Sequence, residues 1–252
     1  MMKKLLVIGI GAGNPDYITM QAVNALNQVD VFFLMDKGQS KDKLIDLRRE
    51  ICDRYITDRT YRFVEAHSPE RERGDVDYKT SVDDLNLAKQ MTFERLINEE
   101  MTDEQCAGFL VWGDPALYDS TIRILQAILA SGRCVFEFEV IPGITSVQAL
   151  AAQHKVPLNR IGRSIEITTG RRLAAGLVGD ADSLVVMLDA EDSYHQVADR
   201  ETQIYWGAYL GTPDEILISG KLGEVADEIE RVRKAARLAN GWIMDTYLLR
   251  KP

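Results

Sequence analysis

Short apolar runs that read as strands alternate along this chain with longer segments of helical spacing. That alternation commits it to an α/β architecture. Residues 5–10 (LLVIGI) are unbroken apolar sequence, as a parallel strand covered on both faces requires. Further strand-like runs fall at 31–35, 61–66, 106–112, 135–141, 165–168, 184–188, 203–208, 215–219 and 242–249. Thr19 is placed to cap a helix whose apolar positions are Ala22, Val23, Ala25, Leu26 and Val29. Helical patterns also occupy 43–52, 82–100, 145–154 and 222–238, and another runs from Asp119 or Ser120 to residue 130. A boundary near 115–132 divides the chain into two halves, 1–118 and 119–252, with a ligand expected in the cleft between them.

Composition narrows the function classes. At 252 residues, 46% apolar and 27% charged, the chain can bury a core without disulfides or metals. No apolar run approaches the roughly 18 residues of a membrane-spanning helix. The amino-terminal lysines and apolar stretch lead through GAGNPD into a helical pattern with no cleavage site, so they read as a first strand rather than a signal peptide. Cys52, Cys106 and Cys134 form no CxxC pair, which points to a reducing compartment and a cytoplasmic protein. The net charge of −9 argues against a nucleic-acid partner, which needs a basic stripe. Charge is uneven: residues 74–105 carry −6, while 157–172 carry +3 through Arg160, Arg163, Arg171 and Arg172. A second basic spot is Arg71-Glu72-Arg73. His67, His154 and His195 have no metal-ligand spacing, and no metal is expected.

Three expected strands end in glycine-containing loops. The first, Gly9-Ile10-Gly11-Ala12-Gly13-Asn14-Pro15, lets backbone N–H groups approach a ligand closely. A dinucleotide fingerprint would want glycine at 9, 11 and 14; Asn14 breaks it, and Pro15 removes a donor where a phosphate-cradling helix should start. Asp36, at the end of the second strand, does stand at the ribose-binding distance, so an NAD-linked oxidoreductase is a rival reading. The second loop is Trp112-Gly113-Asp114-Pro115-Ala116-Leu117-Tyr118, and the third is Pro142-Gly143-Ile144-Thr145-Ser146. Taken singly, each is good turn or N-cap chemistry.

Together and in this order, the three loops resemble those of the tetrapyrrole methylases, S-adenosylmethionine-dependent enzymes of corrin and sirohaem synthesis. The resemblance spans the chain and implies two α/β domains with the cofactor in the interdomain cleft. It implies cofactor contacts at Ala12, Pro15, Trp112, Gly113, Asp114 and Leu117, with Tyr118 closing the second loop. Thr145, Ser146 and Leu188 follow, and then Gly211 or Thr212. Asn14 replaces an aspartate common in the family, and Asp189 stands where many relatives carry a small residue or glycine. The stretches VFFLMDKG, HSPERERGDVDYKTSVDDL and GWIMDTYLLR are similar to a deacetylating member of the corrin branch. Homodimers, common in the family, are implied as well.

Methyl transfer from a sulfonium chiefly requires alignment, worth about 7–11 kcal/mol, and no protein nucleophile. Acetate release differs, since water must attack a carbonyl and some group must activate that water. Asp36 is the candidate, with His67 second. Arg71 and Arg73, or the group Arg160, Arg163, Arg171 and Arg172, are the candidates for pairing with the acetate and propionate groups of a macrocycle. Other acceptors within the family, such as another corrin carbon or a modified histidine, and a carrier without turnover complete the alternatives.

Overall fold

The computed structural model describes residues 2–36, 42–57, 59–69 and 78–252. The chain divides into two compact units, one of Met1–Gly11 with Pro15–Ile144 and the other of Ala12–Asn14 with Thr145–Pro252. The break expected at residue 118 falls instead after Ile144, because the strand beyond it pairs with the first strand of the chain.

Unit 1 is a parallel five-stranded sheet. Its strands are β1 (Lys3–Gly9), β2 (Val31–Asp36), β3 (Arg62–His67), β4 (Cys106–Val111) and β5 (Phe136–Ile141), in the order β3-β2-β4-β1-β5. Helices α1 (Met20–Leu26) and α2 (Asp42–Tyr55) cover one face, where Leu6, Ile8, Leu26, Phe32 and Ile51 pack. Helices α3 (Tyr78–Glu99) and α4 (Thr121–Ser131) cover the other, around Leu5, Val7, Phe93, Phe109 and Leu125. Burial on both faces is why β1 and β4 are apolar without alternation. At the sheet edge β5 alternates, with Phe136 inward and Glu137 and Glu139 exposed, and those charges discourage edge-to-edge pairing. The expected cap is present: Thr19 Oγ1 accepts the Ala22 N–H at 3.1 Å.

Unit 2 carries α5 (Ser146–His154), β6 (Ile165–Thr169), α6 (Gly170–Ala174), β7 (Ser183–Met187), β8 (Gln203–Ala208), β9 (Ile216–Lys221), α7 (Leu222–Asn240) and β10 (Asp245–Arg250). Its sheet runs β6-β7-β10-β8-β9; β6 and β7 are parallel, and the pairings of β10 with β7 and β8, and of β8 with β9, are antiparallel. The amphipathic α7 lays Leu222, Ala226, Ile229 and Ala236 on a core with Trp206, Tyr194, Tyr209 and Tyr247.

Candidate active site

In unit 1 the three glycine loops leave β1, β4 and β5, which are adjacent strands, at their carboxyl ends. Gly11 and Gly113 exchange backbone hydrogen bonds of 3.3 and 2.8 Å, so the first two loops form a miniature antiparallel bridge. The third joins through Asp114, whose Oδ2 accepts the Gly143 N–H at 2.8 Å while Oδ1 accepts Ala116 N–H at 2.7 Å. A Cβ at Gly143 would overlap the Gly113 carbonyl oxygen and come within 2.9 Å of Gly9 Cα. Asp114 therefore fastens the loops to one another. Trp112 Nε1 is buried with no hydrogen-bond partner among the described residues. Tyr118 closes the loop at φ 53°, a left-handed conformation rare for a residue with a Cβ and typical of sites where strain is retained for function.

Pro15 opens a single 3-10 turn, Pro15–Tyr17, and its carbonyl accepts the Tyr55 hydroxyl at 3.2 Å. The α-helix proper starts only at Met20. The first loop therefore does not open directly onto a helix N-terminus, and the geometry of a dinucleotide pyrophosphate site is missing.

In unit 2 the remaining candidates gather at one end of the sheet, where β7 and β8 finish and β10 begins. Leu188, a residue 64% exposed, follows β7 at φ 53°, and Tyr209 follows β8 at φ 50°. Thr212 closes the turn after β8, its Oγ1 donating to the Tyr209 carbonyl at 2.7 Å. Ala12–Asn14 belongs to this unit because Gly13 lies against Leu210 and Thr212; a Cβ there would meet Thr212 Cγ2 at 2.8 Å. The Ser146 hydroxyl pairs with Thr246 Oγ1, at the start of β10, at 2.9 Å. Thr145 is the N-cap of α5, its hydroxyl accepting Val147 N–H at 3.1 Å within a capping box completed by Gln148.

Asp189 turns inward, so its carboxylate is a structural group. It accepts Ser193 N–H at 2.7 Å, Ser193 Oγ–H at 2.8 Å and the Tyr247 hydroxyl at 2.7 Å. Gly170 leaves the space for it.

Asp36 ends β2 directly in register with His67 at the end of β3, so both candidates for water activation stand on neighbouring strands. Arg71 and Arg73 lie outside the described residues. In the second arginine group, Arg160 pairs with Asp182 at 3.3 Å and donates to the carbonyl of Lys251, and Arg172 donates to the Leu177 carbonyl. His154 Nε2 lies 3.0 Å from the Trp206 carbonyl oxygen, a packing role. His195 comes together with Asp227 and Glu230, a grouping invisible in sequence spacing; Lys234 already pairs with Glu230.

Sequence reasoning singled out neither Arg48 nor Lys89. Arg48 Nε donates to the Leu110 carbonyl at the end of β4, at 3.1 Å, and Nη1 to Leu44 O at 2.7 Å. Burial lowers the Arg48 pKa to about 10 and also lowers that of Lys89, in both cases partly countered by the Asp119 carboxylate. Only the fold, by bringing α2 and α3 to one strand end, reveals them.

A model of the tetrapyrrole (corrin/porphyrin) methylases matches residues 4–226, and the chain belongs to that family. It is 52% identical to the precorrin-6A synthase [deacetylating] of a Sinorhizobium species, over 99% of this chain and 96% of that protein. The crystal structure of a cobalamin synthesis related protein from Corynebacterium diphtheriae superimposes with a TM-score of 0.83 at 35% identity, covering 99% of both chains. A uroporphyrin-III C-methyltransferase from Thermus thermophilus, solved with S-adenosyl homocysteine, shares the fold at a TM-score of 0.61 and 16% identity, covering 98% of this chain and 97% of that one. Membership in this family removes the oxidoreductase reading.

Proposed function

We propose that this chain is an S-adenosylmethionine-dependent C-methyltransferase that methylates carbon 1 of precorrin-5 and releases the extruded two-carbon unit as acetate, giving precorrin-6A. The observation that carries this reading is the 52% identity, across 99% of the chain, to a protein of that activity. Trp112, Gly113, Asp114, Leu117, Tyr118 and Pro15 in unit 1, and Ala12, Thr145, Ser146, Leu188 and Thr212 in unit 2, are the residues proposed to hold the cofactor. Their chemistry fits it: close-packed glycine backbone, an unanswered indole N–H at Trp112 and an exposed leucine at 188 suit a polar, partly apolar ligand of this size.

When bound, S-adenosylmethionine supplies an activated methyl group, so the chain needs no nucleophile of its own. What its loops contribute is alignment, through backbone packed closely at Gly9 and Gly143 against Gly113. For acetate release, Asp36 takes a proton from the water that attacks the extruded carbonyl, and His67, its register neighbour, is the alternate base. The enzyme works in the cytoplasm, in keeping with its three free cysteines, and as a homodimer, as the family resemblance implies. No helix among the described residues is long and apolar enough to cross a membrane.

Turnover of precorrin-5 with S-adenosylmethionine tests the reading: the product gains one methyl group and acetate appears in equal amount. A methylated product that keeps its two-carbon unit would leave a methylase and remove the deacetylating assignment. In Asp36→Asn, methylation continues while acetate release slows by roughly 10²-fold or more, the usual contribution of a general base. Equal loss of both steps, or of neither, takes Asp36 out of the mechanism.

A further inference from the structure

The strand order of unit 1 contains a crevice between β2 and β4, bordered on the β4 side by the second glycine loop. From β2 the chain turns through α2 to β3, and from β4 it turns through α4 to β5, on the opposite face and in the opposite direction. The carboxyl ends of β2 and β4, adjacent in the sheet, thus form a topological switch point, the usual place for a ligand in an open α/β sheet. Two cations reach this point from opposite faces. Arg48 comes from α2 and is anchored on the carbonyl of Leu110 in β4. Lys89 comes from α3 and sits 3.4 Å from Ser120 Oγ in the loop after β4.

Their charge balance differs from that of their neighbours. Arg49, Arg54, Arg59 and Arg62 pair with Glu65, Asp16, Asp30 and Glu100 respectively. Arg48 and Lys89 form no ion pair with the described residues; both feel the Asp119 carboxylate, which itself accepts the Thr121 N–H at 2.7 Å. Among the described side chains, these two half-buried cations therefore have one partly committed carboxylate between them. Burying cations without counter-charge is costly, and a ligand bearing carboxylates relieves that cost. Arg48 spends two N–H groups on backbone carbonyls, and its remaining fork suits bidentate pairing with a carboxylate.

We propose that Arg48 and Lys89 are substrate-positioning residues that hold acetate or propionate groups of the tetrapyrrole at the β2/β4 crevice, beside the strand end that bears Asp36. This inference rests on the methylase reading above. The test is steady-state turnover of precorrin-5 alongside calorimetric binding of S-adenosylhomocysteine. Lys89→Gln and Arg48→Gln are each expected to raise the KM for the tetrapyrrole about tenfold, the loss of one charge-assisted contact, with S-adenosylhomocysteine affinity unchanged. Lys89→Arg, which keeps the charge, recovers most of the loss, whereas a structural defect would not be recovered by charge. Added salt weakens tetrapyrrole binding less in the Gln variants than in the native protein. An unchanged KM in Lys89→Gln, with cofactor binding intact, overturns the proposal. Failure of the native chain to bind S-adenosylhomocysteine overturns the methylase reading itself, a distinguishable result.

Discussion

Gly143 illustrates how much a single residue decides at the loop cluster. The atoms that a Cβ would strike are the Gly113 carbonyl oxygen and the Gly9 backbone, neither of which is the free end of a flexible side chain. Relief would require the third loop to swing away, breaking the bond from Gly143 N–H to Asp114. Gly143→Ala is therefore expected to cost about 1–3 kcal/mol of stability, as overpacking does, and to lower S-adenosylhomocysteine affinity at least tenfold. Chemical denaturation and calorimetry read the two effects. Full cofactor affinity in this variant would show that the three loops need not touch for binding. The glycines themselves were legible in the sequence because three such loops follow apolar runs in a set order, although each alone is ordinary turn chemistry. That they press on one another was not legible, since it depends on β1, β4 and β5 being neighbours. The role of Asp189 was not legible either, since its polar partners, Ser193 and Tyr247, are brought to it by a turn and a distant strand.

Among the elements, the strands covered on both faces were the easiest to read and the sheet pairings the hardest. An apolar run declares burial, but it does not say which sheet buries it, and so β5 was assigned to the wrong half. The short α6 and the antiparallel sense of β8–β10 leave no periodic signal of their own. Unit 2 pins β10 to α7 and β8 through a buried polar cluster. Asp245 accepts Arg233 Nε–H at 2.9 Å and Trp206 Nε1–H at 3.0 Å, and Arg233 also reaches Asp192 at 3.4 Å and the Asp189 carbonyl. Burial works against the charge on Arg233, but Asp245 and Asp192 more than offset it, so the guanidinium stays charged. Removing the carboxylate leaves that charge without its main partner. Asp245→Asn should thus destabilise the protein by about 3–5 kcal/mol, whereas Asp180→Asn, which touches only the exposed pair with Lys251, should cost next to nothing. Urea midpoints for the two variants provide the comparison, and similar midpoints would deny the cluster its role.

At the scale of the whole molecule, the two units differ in what base does to them. All three cysteines lie in unit 1, Cys52 and Cys106 in the core under α1 and α2, and Cys134 in the core under α3 and α4. Burial pushes the Cys52 thiol from its ordinary 9.0 up to about 12 and the Cys106 thiol up to about 11. An unfolded chain releases these protons near pH 9, while the folded chain holds them, so rising pH draws unit 1 toward the unfolded state. The stability they contribute is whole below pH 9.0 and is lost as pH climbs toward about 11–12. Unit 2 has no cysteine, and its buried Tyr194, Tyr209 and Tyr247 are raised above an ordinary value of 10.0, so its own alkaline loss begins about one pH unit higher. Unit 1 is therefore expected to open first on alkaline titration. Thiol reagents should label Cys52 and Cys106 as pH climbs from 9 toward about 11, at a lower pH than the one at which the emission of Trp206, buried in unit 2, changes. A double variant, Cys52→Ala with Cys106→Ala, should lose the part of the slope of stability against pH that begins at 9.0, whatever its stability at neutral pH. An unaltered slope in that variant would mean that the thiols do not set the alkaline limit, and simultaneous loss of both units would mean that they unfold as one.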